Sequence, residues 1–122
     1  MSNQKKYLFV CRHNFTRSRY GAEYFLGFLK ARGIDARVIS AGVGWTSIFF
    51  GHRVTKKRLR GVDKIFVMEK YMKDWIFKRF DFDKKNIIVL NIPDEYGIFG
   101  FMRYTIEDLN KRFGKVNWKR YI

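Results

Sequence analysis

Three features of the chain predict an α/β domain built on a four-stranded parallel sheet with helices on both faces. Short β-rich runs alternate with segments of helical spacing, one of those runs is continuously apolar, and the first run breaks into a polar loop before a helix. Lys6 to Val10 is the first strand. It stops at Cys11, and the polar stretch Arg12-His13-Asn14-Phe15-Thr16 follows. From Ser18 to Arg32 the side chains of Tyr20, Tyr24, Phe25, Phe28 and Leu29 recur with helical period and fall on one face, and Gly33 is placed to cap that helix. Ala36 to Ser40 reads as the second strand, and Ala41-Gly42-Val43-Gly44 turns into an aromatic-rich loop, Trp45 to Phe50. Val54 to Arg60 is a short basic helix.

Asp63 to Met68, centred on Ile65-Phe66-Val67, is the third strand, and Met72, Trp75, Ile76 and Phe80 mark a helix over Glu69 to Phe80. Asn86 to Leu90 is the fourth strand. Its run Ile87-Ile88-Val89-Leu90 lacks polar alternation, as a strand covered by helices on both faces does. The only proline lies in the loop Asn91 to Gly97, and a last helix covers Thr105 to Phe113. In such a sheet, ligands bind beyond the carboxyl ends of the strands.

The composition bounds the functional classes. The chain has 122 residues, 47% of them apolar and 19% aromatic, which is material for one packed core over 1–122 rather than for a basic disordered tail. Lys+Arg number 26 against 11 Asp+Glu, a net charge of +15 that attracts polyanions without naming a reaction. One cysteine excludes an internal disulfide framework and a self-contained multi-cysteine zinc site. A lone thiol suits a reducing compartment, and the apolar run near the N-terminus is too short for a membrane span or signal, so a cytoplasmic location is expected.

Cys11 at the end of the first strand and Asp94 shortly after the fourth project toward the same sheet edge. Five residues separate Cys11 from Arg17-Ser18 at the start of a helix. Successive backbone N–H groups in a loop of that length can curl around a tetrahedral oxyanion, and the helix N-terminus adds positive potential that also favours a thiolate. Arg17 can offer two parallel hydrogen bonds to phosphate oxygens, Ser18 a hydroxyl to the sulfur, and Asn14 tolerance of unusual backbone angles. The spacing alone leaves two readings of Cys11 open, an inert buried thiol and a nucleophile.

In order along the chain, Leu8-Phe9-Val10-Cys11, Asn14, Arg17-Ser18, Phe25, Ser40-Ala41-Gly42, Ile65 to Met68, and Ile92-Pro93-Asp94 with Tyr96 resemble the low-molecular-weight protein tyrosine phosphatase family. Within it the chain is similar to a short branch of predicted phosphatases sharing the stretches at 66–70 and 92–96. The resemblance implies a phosphotyrosine protein phosphatase I-like fold with the flavodoxin-like strand order 2-1-3-4. It also implies hydrolysis of phosphotyrosine, in a phosphorylated protein, or of a small aryl phosphate, through a cysteinyl-phosphate. Cys11 would be nucleophile, Arg17 the oxyanion clamp and Asp94 the general acid and base, with no metal or other cofactor. Arg12, His13, Asn14, Phe15, Thr16 and Ser18 would form the phosphate loop, and Trp45 and Tyr96 would wall the ring of the substrate, where plain core or surface aromatics are the other reading.

The chain departs from the family pattern at three positions. His13 stands where a glycine is usual, and Arg19 and Glu95 stand where prolines are usual. Glu95 beside Asp94 would raise the pKa of a general acid. Arsenate reductases of this fold need further cysteines, which this chain lacks, and protein-arginine phosphatases carry a threonine where Phe15 stands. The basic residues concentrate at 53–60, 70–79 and 111–120, either as a solvated surface or as a patch for RNA, single-stranded DNA, anionic lipid or a phosphoprotein. A non-catalytic polyanion-binding module is therefore the alternative function.

Overall fold

A computed structural model describes residues 4–12, 17–44, 53–92 and 106–122. Strand β1 spans Lys5–Cys11 and is followed by helix α1, Arg17–Ala31, and strand β2, Ala36–Gly42. The one-turn helix α2, Lys56–Leu59, precedes strand β3, Lys64–Val67, and helix α3, Lys70–Phe80. A 3₁₀ turn at Lys84–Asn86 enters strand β4, Ile87–Val89. Helix α4, Ile106–Gly114, and a 3₁₀ segment, Trp118–Tyr121, close the described chain. The four strands form one sheet in the order β2-β1-β3-β4, every pair parallel. The expected α/β sheet and its 2-1-3-4 order are therefore observed.

The strands extend according to what they pair with. β1 continues through Cys11, whose register partner is Gly42, so β2 runs two residues beyond the Ser40 expected from composition. Helix α1 starts on Arg17 and ends in a paired cap. The Gly33 N–H donates to the Lys30 carbonyl and the Ile34 N–H to the Leu29 carbonyl, each at 3.0 Å, with Gly33 at φ 69°, a conformation a Cβ disfavours. β4 differs from expectation. Ile87 is buried, but Ile88 and Val89 are half-buried because, among the described residues, β4 lies at the sheet margin.

Alternation along β1 divides the core in two. Tyr7 and Phe9 lie on one face with Phe66, the register partner of Phe9 on β3, and pack against Phe25 of α1 and Trp118. Phe9 and Phe66 stack with ring centroids 4.8 Å apart, and Phe25 meets Tyr7 edge-on at 4.9 Å. Leu8, Val10, Ile65 and Val67 take the opposite face by the same alternation, and the α3 residues Met72 and Ile76 are fully buried where that helix meets β3 and β4. Gly21 sets how closely α1 approaches. A Cβ built there would lie 2.8 Å from Phe113 and 2.9 Å from Phe9, so only glycine lets the helix sit this close to β1 and α4.

The C-terminal stretch Lys111 to Arg120, basic in sequence, also supplies core. Trp118 is buried among Phe9, Phe25 and Phe66, and its indole N–H donates to the Phe113 carbonyl at 2.9 Å. Among the described residues no helix is long and apolar enough to cross a membrane.

Candidate active site

The strand order reverses direction around β1: the chain steps from β1 out to β2, then crosses back to β3 on the other side. The carboxyl ends of β1 and β3 therefore border the crevice that such a sheet offers to ligands. Cys11 ends β1 and Glu69 follows β3 by two residues. Backbone hydrogen bonds carry the ladder past the strand ends and bring these segments together. Met68 N–H donates to the Val10 carbonyl at 3.1 Å, Val43 N–H to the Cys11 carbonyl at 3.1 Å, and Gly44 N–H to the Arg12 carbonyl at 2.6 Å. On the far side, Ile92 N–H donates to the Met68 carbonyl at 2.9 Å, one residue after Asn91 turns the chain with a left-handed φ of 58°.

Cys11 and Ser18 meet inside this frame. The thiol sulfur lies 3.0 Å from the Ser18 hydroxyl, in a buried contact where either group can donate. A serine seven residues away in sequence, in the first turn of α1, is thus the partner of the sulfur at the end of β1.

Among the described residues Arg17 is the largest fully buried side chain, 1% exposed. A guanidinium that far from water needs charge-assisted partners. Its Nη1 donates to the Ile92 carbonyl at 2.6 Å and to Glu69 Oε2 at 3.3 Å. One side chain thus ties the start of α1 to the segment after β3 and to the residue that precedes Pro93 and Asp94. Fixed at one edge, the planar guanidinium keeps a defined orientation, which is what bidentate recognition of an oxyanion requires.

The structure brings together three of the residues singled out from sequence, Cys11, Arg17 and Ser18. Arg12 is exposed beside them and joins the frame through its backbone carbonyl. His13, Asn14, Phe15, Thr16, Trp45, Asp94, Glu95 and Tyr96 lie outside the described residues. Arg19 is on the exposed face of α1. Two participants were missed by sequence reasoning, the Glu69 carboxylate and the Ile92 carbonyl. Glu69 carried a usable signal, an acidic residue just past the end of a buried strand. A backbone carbonyl carries none.

No protein-family model matches the chain, and no curated protein matches its sequence. Solved structures do match. The tyrosine phosphatase Wzb from Escherichia coli K30, in complex with phosphate, is 20% identical with a TM-score of 0.66, covering 91% of this chain and 89% of that one. A low-molecular-weight protein tyrosine phosphatase from T. tengcongensis is 19% identical with a TM-score of 0.65, covering 91% of each chain. YwlE from Bacillus subtilis is 18% identical with a TM-score of 0.67, over 91% of this chain and 90% of its own. Another YwlE structure is described as an arginine phosphatase mutant with a phosphorylated active-site serine. The chain therefore has the fold of the low-molecular-weight protein tyrosine phosphatases.

Proposed function

We propose that the protein is a cysteine-dependent phosphatase acting on phosphotyrosine or a related acidic aryl phosphomonoester. The observation that carries this reading is the Cys11 sulfur 3.0 Å from the Ser18 hydroxyl at the carboxyl end of β1, beside the buried and doubly anchored Arg17. A structural cysteine needs neither a hydroxyl at its sulfur nor a buried cation next to it. A thiolate nucleophile is served by both.

In the first step the Cys11 thiolate attacks phosphorus in line. The S–P bond forms as the P–O bond to the aryl group breaks, and Asp94 gives its proton to the departing oxygen. The guanidinium edge away from Nη1 holds equatorial phosphoryl oxygens together with the loop amides of 12–16. In the second step Asp94 takes a proton from water, the oxygen attacks phosphorus, and the S–P bond breaks to return the thiolate and inorganic phosphate. Ser18 donates to the sulfur as it leaves. His13, Asn14, Phe15 and Thr16 shape the loop, while Trp45 and Tyr96 flank the ring. Phe15 favours an aryl phosphoester over phosphoarginine, the substrate class suggested by the name of YwlE. A lone thiol nucleophile works best in a reducing compartment such as the cytoplasm.

The test is release of phosphate from p-nitrophenyl phosphate and from phenyl phosphate. Cys11→Ser is expected to abolish turnover. Asp94→Asn should slow phenyl phosphate by about a hundredfold or more and p-nitrophenyl phosphate by less, because the better leaving group needs the proton less. Rapid quenching of Asp94→Asn should trap a phosphorylated cysteine. Equal rates for wild type and Cys11→Ser would overturn the reading and leave the polyanion-binding module. Faster hydrolysis of phosphoarginine than of phosphotyrosine would move the substrate class.

A further inference from the structure

The margin of the sheet at β2 opens onto a groove of about 800 Å³. Five cations line it, Lys6, Arg19, Arg37, Lys57 and Arg58, against the single carboxylate of Glu23 among its described residues. They arrive from four elements. Lys6 and Arg37 are in register on β1 and β2 and so share one face of the sheet, Arg19 comes from the first turn of α1, and Lys57 and Arg58 come from α2. Positive charge is crowded here: burial, and then the neighbouring Arg37, hold the Lys6 ammonium below its ordinary pKa. The β2 residues 37–40 border the groove, and among the described residues the outer edge of β2 has a strand partner only at Gly42, bridged in parallel to Arg53. That edge offers main-chain donors and acceptors to an incoming chain. At its other wall the groove reaches Arg19, the residue after Ser18.

We propose that this groove docks an extended acidic peptide segment, the stretch flanking the phosphorylated residue of a protein substrate. The β2 edge supplies main-chain hydrogen bonds, and the five cations receive the carboxylates. Two observations select a peptide among polyanions. No aromatic side chain lines the groove among its described residues, so it has no platform on which bases of single-stranded nucleic acid would stack. Its concave form along a strand edge fits a chain rather than the plane of a lipid surface. The identity of the segment as substrate rests on the phosphatase reading; the groove as a peptide site does not.

The experiment uses the full chain and the double variant Arg37→Glu/Lys57→Glu, both exposed positions outside the proposed chemistry. Fluorescence anisotropy with an unphosphorylated Asp/Glu-rich dodecapeptide, at near-physiological salt, is expected to give saturable binding. A Gln/Asn control peptide and the double variant should each bind at least about tenfold more weakly. With phosphotyrosyl versions of both peptides, the double variant should lower the acidic-over-neutral ratio of kcat/KM by about tenfold and leave p-nitrophenyl phosphate hydrolysis unchanged. Equal binding of the acidic peptide by wild type and variant overturns the proposal. So does tighter binding of an RNA oligomer or a phosphatidylserine vesicle than of the peptide. An active enzyme that treats both peptides alike removes the groove alone. A protein inactive on every aryl phosphate that still binds the acidic peptide through Arg37 and Lys57 removes the phosphatase reading and keeps the groove.

Discussion

Tyr7 sits in the middle of β1 with its ring inside the aromatic core and its hydroxyl donating to the Tyr121 carbonyl at 3.3 Å. Burial, and then the nearby Asp63 charge, hold its phenol above the ordinary tyrosine pKa. The folded state therefore keeps this proton more tightly than the unfolded chain does. The resulting stability is fully present below about pH 10 and is lost as pH rises through the higher folded pKa. Tyr7→Phe should cost about 0.5–1.5 kcal/mol at pH 8 through the lost hydrogen bond, and the gap to wild type should narrow by pH 11. Urea midpoints at the two pH values check this; a gap that widens with pH contradicts it. At the same scale, Cys11, Arg17 and Ser18 are legible in the sequence because a short loop between strand and helix fixes their spacing. The Arg17 partners are not legible, since Glu69 is 52 residues away and Ile92 contributes only its backbone. Long-range pairing of that kind follows from topology.

The placement of each element follows from hydrophobic period and caps, and the sequence conveys these well. The Gly33 turn, the apolar stripe of α1 and the four strand centres all stand where pattern places them. Strand ends do not, because they depend on partners: β2 reaches Gly42 only because Cys11 lies opposite. The closing 3₁₀ segment is hidden by its composition, in which Lys119 and Arg120 mask the buried Trp118. How closely α1 packs hinges on Gly21. Gly21→Ala gains about 1 kcal/mol of helix propensity. It also drives a methyl into the rings of Phe9 and Phe113, both fully buried with little room to retreat. Overpacking of about 1–3 kcal/mol should win, for a net loss of up to about 2 kcal/mol. Urea unfolding should show a lower midpoint at unchanged m-value; a midpoint equal to or above wild type would mean that the rings can yield.

Across the whole molecule, a charge of +15 on 122 residues makes self-repulsion a standing cost of the compact state. Screening relieves it, since the Debye length shrinks from about 30 Å at 0.01 M salt to about 8 Å at 0.15 M. Sodium chloride over that range should raise Tm by roughly 3–6 °C, equivalent to about 1 kcal/mol for a chain of this size. The same titration should weaken acidic-peptide binding, so stability and affinity should move in opposite directions. A Tm that is flat or falling with chloride would show that the cations are already neutralised within the fold. The magnitude of the charge is plain from composition, whereas its gathering of Lys6, Arg19, Arg37, Lys57 and Arg58 around one strand margin emerges only once β1 and β2 are paired.

The bond from Arg17 to the Ile92 carbonyl has a hereditary consequence. Its acceptor is main chain, so any residue at 92 that preserves the path of the backbone supplies it, and mutation can erase it only by replacing the arginine or rerouting the chain around Asn91. Half of this joint is thus shielded from drift in the side chains. Arg17 and the backbone at Ile92 can stay mechanically linked while the residues around them change.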